Sequence, residues 1–280
     1  MKAVQSPEIN LARAAEGVEK AARRGAQIIS LQELFRTLYF PQEQDKNYFR
    51  LAETIPGPTT ELFSKLARRL RVVIVLPIFE MRNQKFFYNS ATVIDADGKV
   101  VGIYRKIHIP NGPHFYEKFY FTPGDLGFPS YETRYGRVGV LICWDQWFPE
   151  AARLMALSGV RILFYPTAIG WHRKEKKKLK LEERESWEIV QRAHAAQNGI
   201  YVAVVNRVGC EGALQFWGGS FVAGPFGEMI ARAGGAREEI LITHLDFSKI
   251  DRVRTDWPFL KERRFDAYGA ITLPFSNDHS

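Results

Sequence analysis

Arg137-Val-Gly-Val-Leu-Ile-Cys143-Trp-Asp-Gln-Trp-Phe-Pro149-Glu150 is the stretch that decides how this chain folds. Its apolar run, residues 138–142, is too short for a helix and stops at a cysteine. Pro149 opens a helical pattern that Gly159 closes, with proline in the first turn and glycine just past the end as helices are usually punctuated. Asp145 is placed to help cap that helix. A second buried-strand run follows, Arg161-Ile-Leu-Phe-Tyr-Pro166. Strand, helix and strand within about thirty residues read as a βαβ unit of a parallel sheet. Cys143 then stands at the carboxyl end of a strand, on the turn into a helix. Ligands of open α/β sheets bind at such ends, and a nearby helix N-terminus favours thiolate over thiol. A cysteine taken at random is more often a buried structural residue; this position reverses the odds.

Outward from that unit the pattern repeats. Residues 8–24 carry Ile9, Leu11, Ala14, Ala15, Val18, Ala21 and Ala22 at helical spacing, and Gly25 stops them. The run 26–31 is a strand that delivers Gln32 and Glu33. Pro56-Gly-Pro58 turns the chain into a helix over 59–70, followed by a strand over 72–76. Residues 88–94 and 99–106 flank Asp95-Ala-Asp-Gly98, an Asp-Gly turn of the kind that joins hairpin strands. Residues 107–130 form a long loop rich in proline, glycine and aromatics, and a loop of that length inside a domain is usually functional. Beyond the central unit the pattern predicts a helix over 181–198, a strand over 201–205, a hairpin turning at Gly224-Pro-Phe-Gly227, and a strand over 240–245. No repeat, low-complexity tract or linker interrupts the series, so residues 1–280 read as one α/β domain.

The composition sets limits on partners and setting. The 280 residues are 46% hydrophobic and 25% charged, as in globular proteins. Two cysteines, Cys143 and Cys210, and no secretory leader predict a reducing, cytoplasmic setting without disulfides. No apolar run is long enough to span a membrane. The net charge of +8 invites a nucleic-acid reading. Much of it, however, lies in His172-Arg-Lys-Glu-Lys-Lys-Lys-Leu-Lys180, answered at once by Glu182, Glu183 and Glu185. A basic run met by an acidic one is a solvated helix or loop. His108 and His114 share a loop without a helix to align them, so no metal site is expected. Cys210 reads as a bystander.

Three residues share a position in this plan. Glu33 follows one strand, Lys106 ends the hairpin, and Cys143 ends the central strand. If the strands run parallel there, a carboxylate, an ammonium and a thiol converge on one edge. That set suits acyl transfer: the carboxylate accepts the thiol proton, sulfur attacks a carbonyl-type carbon, and the ammonium stabilises the oxyanion.

These residues carry a resemblance. Leu31-Gln-Glu33-Leu-Phe, Tyr104-Arg-Lys106-Ile-His108-Ile-Pro and Leu141-Ile-Cys143-Trp-Asp-Gln-Trp-Phe-Pro-Glu150 resemble the three signatures of the nitrilase, or carbon-nitrogen hydrolase, superfamily. The likeness extends over nearly the whole chain. It implies an α-β-β-α sandwich with Glu33 as general base, Lys106 as oxyanion stabiliser, Cys143 as nucleophile, and the Trp144 N–H sharing the oxyanion. Glu117 matches a second glutamate that many members place beside this triad. Gly218-Gly219-Ser220 resembles a family feature near the substrate channel; two glycines before a strand otherwise mean a tight bend. The resemblance implies no metal or organic cofactor. It implies a homo-oligomer, and the segment 257–280, with Trp257, Phe259, Phe265, Tyr268 and Phe275, suits packing on a second copy. Family chains begin with a longer strand ending in Val-Gln or Ile-Gln. Here Met1-Lys-Ala-Val-Gln5 leaves a stub, expected either to pair through residues 3–5 or to belong to a longer natural start.

Within the superfamily, Arg105-Lys-Ile-His-Ile-Pro110, Tyr116-Glu-Lys-Phe-Tyr-Phe-Thr-Pro-Gly-Asp125 and Phe216-Trp-Gly-Gly-Ser-Phe-Val222 resemble the branch that hydrolyses N-carbamoyl amines such as N-carbamoylputrescine. Relatives acting on N-carbamoyl amino acids, and the ω-amidase-like ones, keep arginine just after the nucleophile. Arginine suits a substrate carboxylate through its two-pronged donation. This chain has Gln146 and Trp147 there. Trp144, Gln146, Trp147 and His108 are the expected substrate contacts, with aromatics facing an alkyl chain or a cation. The expected partner is therefore a small N-carbamoyl amine or amide, not nucleic acid or membrane. An N-carbamoyl amino acid, a simple aliphatic amide, or a non-catalytic docking or nucleic-acid-binding role are the alternatives.

Overall fold

The computed structural model describes residues 1–235 and 237–274. Its first half is a four-stranded sheet covered by two helices. α1 (Pro7–Arg23) starts at Ser6, whose side chain accepts from the Ile9 N–H, and α2 (Pro58–Leu70) ends at Arg71 in the left-handed region. Between and after them come β1 (Ile28–Ser30), β2 (Val73–Arg82), β3 (Phe86–Ile94) and β4 (Val100–Arg105), hydrogen-bonded in that order. β1 is parallel to β2, while β2–β3 and β3–β4 are antiparallel. β4 therefore runs in the direction of β1, and the residues that follow each emerge at the same edge.

The second half begins after the long loop, which contains a single helical turn, α3 (Glu117–Tyr120). β5 (Ser130–Tyr131) and β6 (Val138–Val140) lead to α4 (Pro149–Leu157), β7 (Ile162–Thr167), β8 (Gly170–His172) and α5 (Lys177–Asn198). β9 (Tyr201–Asn206), β10 (Val208–Glu211), β11 (Leu214–Trp217), β12 (Phe221–Ala223), β13 (Met229–Arg232) and α6 (Ser248–Asp256) complete the strands and α-helices of the described residues. A six-stranded sheet takes the order β13-β12-β9-β7-β6-β5, and β10, β11 and β8 form a small third sheet. β6, β7 and β9 are parallel, as the βαβ reading requires.

The alternation of β2 shows how the layers stack. Ile74, Leu76 and Ile78 pack with Ala14, Val18, Phe63 and Leu66 of α1 and α2. Val73 and Val75 face the other way, into a core shared with Val138, Val140, Leu163 and Val202 of the six-stranded sheet and with Met155 and Trp187 of α4 and α5. A period of two on a sheet buried on both faces gives helix, sheet, sheet, helix. That is the expected α-β-β-α sandwich.

Several details depart from expectation. β2 runs six residues past Leu76 and through Pro77. The backbone groups of Val75, Phe79 and Met81 turn toward β1 and Glu53, so by alternation Pro77 does too. β1 has ended by that point, and the missing N–H of Pro77 costs the ladder nothing. Residues 240–245 form no strand. They are a strap: Ile240 packs against the α1–α2 layer and Leu245 against the central core, so the apolar side chains are used without a ladder. Residues 1–5 form no strand either. The Val4 N–H and C=O are both taken by the Asn10 amide, at 2.8 and 2.7 Å, and Gln32 donates to the Met1 C=O at 2.6 Å. The basic run is a turn leading into α5, which starts at Lys177 rather than at residue 181. Trp257, Phe265 and Leu273 are 60%, 79% and 69% exposed, an apolar display in which Trp257 meets only the edge of Phe226 among aromatic rings of the described residues. Phe275 and the rest of 275–280 lie outside the described residues.

Candidate active site

Glu33 lies just beyond β1, Lys106 directly after β4, and Cys143 just beyond β6. The shared direction of β1 and β4 brings the first two together; the facing sheet supplies the third. Lys106 Nζ donates to Glu33 Oε1 at 2.8 Å and to Glu117 Oε2 at 2.6 Å, and all three side chains are fully buried. Asn89 Nδ2 donates to the same Glu33 oxygen at 2.7 Å, and Tyr39 OH to Glu117 Oε1 at 2.7 Å. The other oxygen of Glu33, Oε2, is buried without a hydrogen-bond partner among the described residues. It is an acceptor that no protein group meets, and a buried acceptor left so is costly.

The charges act on one another at close quarters. Burial alone would lower the pKa of Lys106, but Glu117 and Glu33 outweigh it and hold the ammonium well above its ordinary value. Burial pushes Glu117 up, and Glu33 adds to this against the pull of Lys106 and Tyr39. The Cys143 thiol is also pushed well up, first by burial and then by Glu33, with Lys106 opposing. The expected thiolate-favouring helix end is not beside it. Cys143 opens a 3-10 turn, Cys143–Trp147, and α4 begins only at Pro149. Burial thus works against thiolate here, and a base beside the sulfur would ease loss of its proton.

Cys143 has φ +44°, in the left-handed region. A β-carbon-bearing residue held there is strained, and the surroundings must enforce it. Asp145 does so, rather than capping α4. Its Oδ2 accepts from Ile142 N at 2.9 Å and Tyr104 OH at 2.7 Å. Its Oδ1 accepts from His108 N at 3.0 Å and lies 2.7 Å from His108 Nδ1. His108 also stacks on Phe148, with ring centroids 3.6 Å apart. It thus braces the turn that carries Cys143, and its ring stays partly exposed.

Gln146 is held by one side of its amide, while its Nε2 has no hydrogen-bond partner among the described residues. It is fully buried, its Oε1 accepts from Trp187 Nε1 at 2.9 Å, and its carbonyl meets His194 Nε2 at 2.8 Å. Trp147 is half-buried against the central core, and Trp144, 39% exposed, packs edge-on to it. Gly218 and Gly219 have φ +59° and +64°, and a β-carbon on Gly218 would sit 2.6 Å from Val208 Cγ1. They make the bend between β11 and β12. Among the described residues no three His, Cys, Asp or Glu side chains are grouped as metal ligands would be. Sequence reasoning missed Tyr39 and Asn89. The signal for Asn89 was a polar residue inside an otherwise buried strand, which needs a buried partner.

A carboxylate with a free oxygen, a thiol and an ammonium can together carry out acyl transfer through sulfur. Residues 3–255 match the carbon-nitrogen hydrolase family, and the chain belongs to it. It is a carbon–nitrogen hydrolase of the nitrilase superfamily, acting on amide-type bonds. It is 45% identical to an N-carbamoylputrescine amidase of Solanum lycopersicum over 96% of this chain and 91% of that one. It is 41% identical to a citrullinase of Francisella tularensis, over 95% and 93%. The crystal structure of a carbon-nitrogen hydrolase from Helicobacter pylori G27 superposes with TM-score 0.95 at 40% identity, covering 98% of this chain and 97% of that chain.

Proposed function

We propose that Cys143, Glu33, Lys106 and Glu117 hydrolyse the ureido group of a small N-carbamoyl amine, N-carbamoylputrescine first. The observation that carries the reading is the buried oxygen of Glu33 left without a partner beside the Lys106 ammonium, in a site whose burial pushes the Cys143 thiol up. As sulfur attacks the carbamoyl carbon, the thiol proton passes to Glu33. The oxygen takes up negative charge against Lys106 and the Trp144 N–H, an interaction worth about 3 kcal/mol per well-placed donor. Glu33 returns the proton to the departing nitrogen, and putrescine leaves. Water, deprotonated by Glu33, then attacks the S-carbamoyl thioester. The thiol is regenerated, and the released carbamic acid breaks down to CO2 and ammonia. Glu117, bridging Lys106 and Tyr39, keeps the ammonium aimed.

The choice of amine rests on the absence of arginine at Gln146 and Trp147 and on the relative that hydrolyses N-carbamoylputrescine. A ureido group on an amino acid is the second reading, supported by the likeness to the citrullinase. Ammonia release compared across N-carbamoylputrescine, citrulline, N-carbamoyl-β-alanine and a neutral amide decides between them. Faster turnover of either ureido acid would overturn the first reading. Two unpaired cysteines fit a cytoplasmic setting, and the exposed aromatics after α6 fit a contact between copies.

A further inference from the structure

We propose that the Arg207–Glu211 ion pair is a positioning device for both carboxylates that flank Lys106. Arg207 lies between β9 and β10, on the half of the molecule that carries Cys143, and is fully buried. Its Nη1 donates to both Glu211 oxygens, at 2.8 and 2.9 Å, and to Thr37 O at 3.0 Å. Its Nη2 donates to the backbone carbonyls of Glu33, at 3.1 Å, and Leu34, at 2.7 Å. Glu211 Oε2 in turn accepts from Tyr39 N at 2.6 Å.

The segment 33–39 is a turn without a ladder of its own, and Leu34 within it has φ +48°. Its buried carbonyls must be met by side chains. A planar guanidinium can meet three of them and a carboxylate together; an ammonium has neither the reach nor the fork. The pair thus fixes the backbone of Glu33 at one end of the segment. At the other end it fixes Tyr39, whose hydroxyl holds Glu117. Glu211 neutralises Arg207 where it stands, so the action on the site is on position more than on charge. Neither residue touches the reacting atoms. Two carboxylates from one half of the fold are in this way registered against the thiol of the other.

The inference rests on Glu33 taking the thiol proton, and the test separates the two. The variants are Glu211→Gln, Arg207→Lys, the apolar double Arg207→Met with Glu211→Leu, and Glu33→Gln. Each is checked for folding by circular dichroism and thermal unfolding. The readouts are the rate at which iodoacetamide alkylates Cys143, and kcat and KM on N-carbamoylputrescine. In the alkylation sulfur displaces iodide and the thiol proton passes to Glu33, so the readout does not depend on the choice of substrate. Glu211→Gln and Arg207→Lys should slow alkylation and lower kcat by about tenfold or more, with KM within about threefold, as loss of alignment does. The double variant should be more stable than Arg207→Lys, because apolar replacement of a buried pair relieves its desolvation, yet remain slow. Folded single variants within about twofold of the wild-type rate would overturn the proposal, as would a double variant that regains rate together with stability. If Glu33→Gln alkylates at the wild-type rate, the base itself is misassigned. If Glu33→Gln is slow while Glu211→Gln is fast, only the positioning role fails.

Discussion

Asp145→Asn removes one charge and one acceptor without changing shape, and its effect can be worked from four contacts. The native carboxylate takes Ile142 N and Tyr104 OH on one oxygen, at 2.9 and 2.7 Å. It takes the backbone N–H and Nδ1 of His108 on the other, at 3.0 and 2.7 Å. An asparagine must turn its NH2 toward one of these pairs. The tyrosine hydroxyl can rotate, and the imidazole can change tautomer, so either side chain can accept from it. The backbone N–H beside it cannot. Whichever way the amide faces, one buried N–H loses its acceptor, at a cost of about 1–3 kcal/mol, and the remaining contacts lose their charge assistance. A loss of ~2–4 kcal/mol corresponds to a fall in Tm of roughly 4–16 °C for a chain of this size. The same turn holds Cys143 in a strained conformation, so sulfur should also drift from the carbon it attacks. A misplacement of about 1 Å is enough for a ~100-fold loss in rate. Thermal unfolding and kcat, normalised to the cysteine that iodoacetamide titrates, measure the two effects separately. An unchanged Tm with an unchanged rate would refute the bracing role of Asp145.

Tyr39→Phe leaves Glu117 Oε1 without its donor, a charge-assisted contact worth about 1.5–3 kcal/mol, and should lower kcat/KM by roughly ten- to a hundredfold; steady-state kinetics with no change would show that Glu117 needs no such support. Because burial and Glu33 hold the Cys143 thiol pKa above that of an unfolded thiol, near ~8.5, this group favours the folded state below that pH and the advantage is lost as pH rises. Cys143→Ser should therefore lose less stability than the wild type between neutral and alkaline pH in urea titrations, and an identical loss would contradict the shift. Light scattering at micromolar concentration should give a mass above the 32.1 kDa of one chain; a monomer would remove the role suggested for Trp257, Phe265 and Tyr268.

The parts of this molecule legible in its sequence are those with a strong local signature. Residues 138–166 announced strand, turn, helix and strand, and Glu33 and Lys106 are neighbours because β1 and β4 run the same way, whereas Cys143 comes from the facing sheet. Side chains whose meaning comes from distant partners were not legible. Gln146 stood out by its place after Cys143, but nothing near it showed that its amide oxygen would accept from Trp187, 41 residues away. Asp145 looked like a cap for α4 and instead grips a loop after β4. Arg207 followed an ordinary apolar strand, and nothing near it in sequence shows that it reaches Glu33. β8, β10 and β11 have three or four residues each, too few for a period to declare itself. The strap at 240–245 carried an apolar run fit for a strand, and only the missing ladder partner makes it otherwise.

The central claim is a covalent step at Cys143. Rapid acid quench of the protein during turnover of N-carbamoylputrescine, followed by proteolysis and mass spectrometry, tests it directly. The account predicts a carbamoyl group on the peptide that carries Cys143, absent from Cys143→Ser and absent from the peptide that carries Cys210. Steady ammonia release by Cys143→Ser, or a carbamoyl group found on Cys210 instead, would contradict it.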